Sequence, residues 1–236
     1  MKINWAVKFD GFFDSFLYKG GYKDVIVGLK NTGIIATCGL LIGIVIGTLI
    51  AVIKVVPKTN KFLSFLEKLG TLYVGFFRGT PIVVQLLLGY YVILPVLGIN
   101  MEPLTATLII FGLNSGAYVS EIMRSGILSV DPGQMEAGRA LGMSYGTTML
   151  KIVVPQAIKN ILPTLGNEFI SLIKETSVVS FVGAVDLYKA FRSIANSNYE
   201  YMVPYLVMAV IYIIIVLVIT LLIRLMERRL RASDKR

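Results

Sequence analysis

The chain alternates long apolar stretches with short clusters of charged and turn-forming residues. Crossing a bilayer as a helix takes about 20 mostly apolar residues. Five stretches meet that length, at about 25–53, 62–97, 103–127, 160–185 and 203–226. The first carries Gly33, Gly39, Gly43 and Gly47 near four-residue spacing. Small residues so spaced let two helices approach closely, but glycine is also simply common in membrane helices, and both readings stay open. The second stretch is too long for one straight crossing. It is interrupted at Arg78-Gly79-Thr80-Pro81, where proline removes a backbone bond and kinks or breaks the helix. Residues 1–24 mix charged and aromatic side chains without a continuous apolar run or a small-residue cleavage site. They read as a short amphipathic segment at the membrane surface. The predicted organisation is this segment, a transmembrane domain over 25–230 and a cytoplasmic tail over 231–236.

Composition supports an all-α integral membrane protein. Hydrophobic residues make up 56% of the 236 and charged residues 16%, against about 25% charged in soluble domains. There is no histidine and one cysteine, Cys38, which lies in an apolar run. His-based metal sites, Ser–His or Cys–His nucleophile pairs and an internal disulfide are therefore excluded. The carboxylates are scattered over several spans, so a compact acid–base set for an intramembrane enzyme is not expected, and neither a catalytic nor a metal-binding residue is assigned. The net charge of +9 would suggest nucleic acid in a soluble protein. Here the basic residues sit at span ends, where they set topology and meet lipid headgroups, and no nucleic-acid partner is expected.

Lysine and arginine also set the orientation. With the C-terminus in the cytoplasm, fourteen basic residues lie inside, within 54–68, 124–159 and 224–236; seven lie outside, within 2–30 and at Lys189 and Arg192. Five of the outer seven fall in the N-terminal part, where the rule is not clean. Five crossings put the N-terminus outside and the long polar stretch 128–159 in the cytoplasm.

Charged groups in hydrocarbon cost roughly 2.5–3.5 kcal/mol on insertion scales, so each asks for a cavity or a partner. Asn114, Tyr118 and Glu121 stand at i, i+4 and i+7 on one face of the third span. Glu168, Ser171 and Glu175 form a similar stripe on the fourth, with Ser177 just beyond it. The candidate solute contacts are Asn114, Glu168, Tyr118, Glu121 and Ser177. The same residues can instead seal helix contacts by hydrogen bonds, with Glu121 reaching the surface. Arg78 and Gln85 read as structural residues at the break in the second stretch. A carboxylate at Glu168 suits a cationic side chain, so arginine, lysine or histidine is the favoured solute, with neutral polar amino acids such as glutamine or cystine the alternative.

The loop carries the most specific pattern. Glu136-Ala137-Gly138 is followed after three residues by Gly142 and after nine more by Ile152-Val153-Val154-Pro155. Asp131-Pro132 is a helix-start signal, Gly142 permits a sharp reversal, a second short helix is expected at about 144–152, and Pro155 marks entry to the next span. This resembles the EAA loop of ABC importer permeases, whose pattern is E-A-A, three residues, G, nine residues, I-x-L-P. Gly138 for the third small residue and Val154 for leucine are the departures. Val130-Asp131-Pro132-Gly133-Gln134, Arg78-Gly79-Thr80-Pro81 with Gln85, Asn114 with Ala117-Tyr118, and Lys174-Glu175-Thr176-Ser177 extend the likeness to the polar amino-acid subfamily, over about residues 25–230.

The resemblance implies a type I importer-like permease fold in a bacterial plasma membrane. Glu136, Ala137, Gly138, Gly142 and Pro155 would form the coupling element that docks an ATPase subunit. The expected partners are that ATPase, a second permease subunit (the same chain or a close homologue), an external solute-binding protein, membrane lipid and the amino acid. The chain lacks G-x-x-x-x-G-K-[ST]; its one Lys-Thr pair, Lys58-Thr59, follows a proline. ATP and Mg would thus be bound by the partner, with no cofactor in this chain. A passive channel or ion-coupled carrier is the rival from another class, and it would not need the loop spacing.

Overall fold

The computed structural model describes residues 4–58 and 60–232. Lys2, Thr59, Lys235, Arg236 and the side chain of Arg231 lie outside the described residues, as does the expected tail beyond Ala232. Every described element is helical. In chain order they are α1 (Trp5–Phe13), α2 (Gly21–Val55), α3 (Lys61–Gly79), α4 (Ile82–Leu88), α5 (Leu94–Val96) and α6 (Pro103–Leu128). Then follow α7 (Pro132–Ala140), α8 (Tyr145–Thr148), α9 (Val154–Glu175), α10 (Leu187–Asn198) and α11 (Met202–Ala232). Wider π turns at Asp14–Tyr18, Gly89–Ile93 and Met149–Val153 continue α1, join α4 to α5 and join α8 to α9. A 3-10 segment, Thr176–Val182, follows α9.

Among the described residues three helices are long and apolar enough to cross a membrane: α2, α6 and α11. The pair α3 and α4–α5 makes a fourth if it is taken as one broken span. The break falls where proline predicts it, with Thr80 and Pro81 both extended. The span expected over 160–185 differs. Its helix, α9, starts earlier at Val154 and ends at Glu175. Its 22 residues are long enough at about 1.5 Å per residue. However, Lys159, Asn160, Thr164, Asn167, Glu168 and Lys174 keep it below the apolarity of the other spans. Hydropathy had drawn the stretch toward the apolar residues beyond 175.

The chain divides into two compact units. One draws on the chain up to Gly39, on Pro81–Phe111 and on Ser171–Val218. The other draws on Leu40–Thr80, Gly112–Ile170 and the chain from Ile219. In the first, Phe12 of α1, Val25 of α2, Leu187, Phe191 and Ile194 of α10, and Val203 of α11 form one core. Helix α10 was not expected from the sequence. Buried Asp186 starts it by accepting the backbone N–H groups of Tyr188 at 2.9 Å and Lys189 at 3.0 Å. Asn31 of α2 donates to the Val185 carbonyl at 2.8 Å. The N-terminal segment is therefore docked on α10: Lys8 pairs with Glu200, and Asn198 donates to the Gly11 carbonyl at 2.9 Å. Trp5, Phe9 and Phe13 remain exposed.

In the second unit α2 and α6 approach closely. A Cβ on Gly43 would lie 2.6 Å from Ser115 Oγ, and one on Gly47 would lie 2.7 Å from Val119 Cβ, distances no real side chain tolerates. A Cβ on Gly33 would meet nothing. The close-approach reading of the glycine spacing therefore holds at Gly43 and Gly47 and fails at Gly33. Val119, Ala157, Ile161 and Leu165 then pack α6 on α9.

Candidate functional site

The loop between α6 and α9 is built from its own sequence. Asp131 starts α7 by accepting the Gly133 N–H at 2.8 Å, with Pro132 at the first helical position, where its missing donor costs nothing. Gly142 ends the helix at φ +79°. Its N–H donates to Arg139 O at 3.0 Å while Met143 N–H donates to Gly138 O at 3.1 Å, so both orphan carbonyls are used. The Arg139 guanidinium then donates to the Met143 carbonyl at 2.8 Å. Glu136 and Ala137 face outward, whereas Gly138 is buried. A Cβ on Gly138 would sit 2.4 Å from Thr148 Cγ2, which accounts for glycine where the loop pattern has alanine.

Ser144 accepts the Thr147 N–H at 3.2 Å and starts α8. The second short helix expected at about 144–152 is α8 with the π turn that follows it, and the chain runs on into the next helix without a break. The π turn 149–153 carries it straight into α9, with Val154 N–H on Met149 O and Pro155 exposed in the first turn. Gln156 Nε2 donates to Gln134 Oε1 at 3.1 Å, and Asn160 Nδ2 to Ser129 Oγ at 2.8 Å, fastening the loop to α9. Tyr145 reaches α2, its hydroxyl donating to the Val55 carbonyl at 3.4 Å. Burial raises the pKa of that phenol, so it remains a donor at neutral pH.

The intramembrane candidates separate into distinct surroundings. Asn114 is buried. Its neighbour Ser115, fully buried, donates to Glu168 Oε1 at 3.1 Å and so joins α6 to α9. Tyr118 lies under the Arg78 guanidinium, 5.5 Å from its ring centroid. Glu121 is engaged by two cations: Lys54 Nζ at 2.7 Å, and Arg124 through Nη2 at 2.8 Å and Nε at 3.0 Å. Ser177 belongs to the other compact unit, in the 3-10 segment, and donates to the Lys174 carbonyl at 3.0 Å.

Three neighbours of the candidates escaped the sequence reading. Ser115 was not singled out, although its place beside Asn114 was a usable signal. Lys54 counted only toward topology. Arg78, an exposed guanidinium, read as structural. Together Asn114, Ser115, Tyr118, Arg78 and Glu168 bring both signs of charge, amide and hydroxyl groups to one unit. Such a set can bind a zwitterion without supplying a nucleophile–base pair.

Comparison with known proteins identifies what this arrangement is similar to. The family model described as "binding-protein-dependent transport system inner membrane component" matches residues 39–232. The putative glutamine transport system permease protein GlnP of Rickettsia bellii (strain RML369-C) is 40% identical over 183 residues, 78% of this chain and 82% of that one. The arginine transport system permease protein ArtQ of Bacillus subtilis (strain 168) is 35% identical over 210 residues, 89% of this chain and 94% of that one. A solved amino acid ABC transporter with histidines superposes with a TM-score of 0.83 at 38% identity, covering 97% of this chain and 100% of that chain.

Proposed function

Given that the chain belongs to the family of binding-protein-dependent transport system inner membrane components, as a membrane permease of an amino-acid ABC importer, we propose that it forms the solute path and takes cationic amino acids by preference. Permeases of such importers work with ATPase and binding-protein partners in general. The specific proposal is that two copies, or this chain and a close homologue, each dock one ATPase subunit through α7. The N-terminus is outside, the C-terminus and α7 in the cytoplasm, and ATP and Mg stay on the partner.

The observation that supports coupling is the shape of the loop. Both ends of α7 are closed by bonds within 131–143, and Glu136 and Ala137 are left on the outside. A short rigid helix of this kind transmits a push from whatever grips it. Through Tyr145 on the Val55 carbonyl and the Gln156–Gln134 bond, a push on α7 reaches α2 and α9. ATP binding that closes the ATPase dimer would draw the α7 helices together and open the path outward. Hydrolysis would return it to facing inward.

The observation that supports solute binding is Glu168, a half-buried carboxylate of α9 that accepts a hydrogen bond from the Ser115 hydroxyl. A guanidinium, ammonium or imidazolium side chain complements it. Arg78 over Tyr118 offers a cation for the solute carboxylate, and Asn114 can donate to or accept from the same backbone end. Glu121, held by Lys54 and Arg124, would anchor α6 to α2 more than touch solute.

The test is uptake of labelled arginine, histidine and glutamine into proteoliposomes holding all subunits, with Glu168 native and with Glu168→Gln. The expected result is a loss of arginine uptake on the order of tenfold, with glutamine reduced far less, the scale of one charge-assisted bond. Equal losses for both, or none, would remove the cationic preference and favour a neutral solute. Flux without an ATPase subunit would remove the importer mechanism.

A further inference from the structure

The turn from α2 to α3 holds a cavity of about 460 Å³ lined by Lys58, Asn60, Lys61, Ser64, Phe65 and Lys68. No part of the transport reading uses it. We propose that this cavity is a binding site for the phosphate-bearing headgroup of an anionic phospholipid, with the lipid's acyl chains lying along α3.

The first support is position. Helix α2 is long and apolar enough to cross the membrane, and α3 opens the broken pair that also passes that test. The short turn between them therefore lies at a boundary between lipid and water. A cavity there opens onto headgroups.

The second support is the division of labour among the lysines. Lys58 is used by the fold. Its Nζ donates to the Ile53 carbonyl at 2.8 Å and the Lys54 carbonyl at 3.2 Å, closing the end of α2, and it pairs with Glu67 at 3.3 Å. Lys61 and Lys68 are exposed, and among the described residues neither side chain has a hydrogen bond or an ion pair. They stand seven residues apart on one face of α3 and frame the cavity with Ser64, whose hydroxyl donates to the Asn60 carbonyl at 3.4 Å. Two ammonium groups with no partner among the described residues, flanking a concave site, suit a phosphodiester, which is compact, anionic and acceptor-rich.

The third support separates a lipid from an acidic protein segment. Phe65, a wall of the cavity, starts an exposed apolar stripe that continues through Leu69, Leu72 and Phe76 at helical spacing. Leu72 is 71% exposed and Phe65 57%. A diacyl lipid presents both halves of this surface, charge at one end and hydrocarbon below it. A soluble acidic partner matches the lysines alone.

The experiment uses the complete transporter, with its ATPase subunit, in vesicles. A Trp5→Phe, Phe65→Trp variant carries a single indole in the cavity wall. Brominated phosphatidylglycerol and brominated phosphatidylcholine are compared as quenchers over a range of mole fractions. The expected result is half-maximal quenching by the anionic lipid at a mole fraction on the order of tenfold lower. This follows from roughly fivefold attraction per lysine near an anionic surface. Adding Lys61→Gln and Lys68→Gln should bring the two lipids together, whereas Lys61→Arg and Lys68→Arg should retain most of the preference. Equal quenching by both lipids with the lysines present would overturn the proposal, as would a preference that survives both glutamine substitutions. Loss of the ATPase subunit from the glutamine variant, with lipid preference unchanged, would assign the cavity to a protein partner and also overturn it. Solute uptake is not part of the readout, so failure here leaves the transport reading standing.

Discussion

Gly138→Ala is the smallest change that tests whether the coupling loop is packed as described. The added methyl would lie 2.4 Å from Thr148 Cγ2, 3.0 Å from Thr148 Oγ1 and 3.2 Å from Ile152 Cδ1. Carbon atoms rest at about 3.5–4.0 Å, so the facing turn must withdraw by about 1 Å. Overpacking of this kind costs about 1–3 kcal/mol. The cost falls on the contact between α7 and the segment 145–153, because Gly138 supplies the carbonyl that Met143 N–H uses to close α7. Amide exchange in peptides covering 138–153 should therefore accelerate about fivefold to a hundredfold, at tenfold per 1.4 kcal/mol, with exchange elsewhere unchanged. Thr148→Ser removes Cγ2 and keeps the hydroxyl that donates to the Ser144 carbonyl at 3.0 Å. In the Gly138→Ala background it should restore at least half the protection, a coupling that a double-mutant cycle isolates. Unchanged exchange in the single variant would refute the close contact, and so would a Thr148→Ser change that restores nothing.

Replacing Glu136 by lysine should leave melting nearly unchanged, since the side chain is exposed, yet lower solute moved per ATP hydrolysed by tenfold or more. Gly142→Val should lower the same ratio through the backbone, because φ +79° costs a residue with a side chain roughly 1–2 kcal/mol; normal uptake by both variants in proteoliposomes would take the loop out of the mechanism. At the other end, the Lys8 hydrogen bond holds Glu200 below the usual carboxylate range. A carboxyl lowered by folding stabilises fully above its ordinary value of about 4.3 and loses that contribution as pH falls through the folded value. Protection of residues 5–18 from exchange should thus be high at pH 6 and drop in acid, and Glu200→Gln should remove the acid step. An identical acid response in that variant would show that the pair does not hold α1.

The spans were legible because hydropathy needs only local composition: α2, α6 and α11 fall within a few residues of the expected stretches, and Pro81 marked the break after α3. Helix α10 was legible in principle. Asp186 followed by Leu187, Ala190, Phe191 and Ile194 is a capped helix with one apolar face, hidden by the basic residues that made it look like a loop. The π turn at 149–153 was not legible, since no residue type specifies it. At the candidate site, the helix faces of α6 and α9 came from periodicity, but their pairings did not. Glu121 finds Lys54 across 67 residues and Ser115 finds Glu168 across 53, and a single sequence carries no record of such partners. The loop was read most fully because everything that shapes α7 lies within 131–148 of the chain.

The way the two units draw on the chain has a consequence for biosynthesis. Each is assembled from three separated segments, and each needs part of α11: one takes Met202–Val218, the other the chain from Ile219. In the second unit Ile223 of α11 lies against Gly166 of α9 so closely that a Cβ there would sit 2.6 Å away. Neither unit can close while the ribosome is still making α10. Until then Asn114 and Glu168 are already in the nascent chain without their finished surroundings. On this partition both units wait for α11, the last helix to be made. A ribosome stalled before residue 202 would leave a membrane-inserted chain with no completed unit, open to proteolytic clearance rather than half-functional.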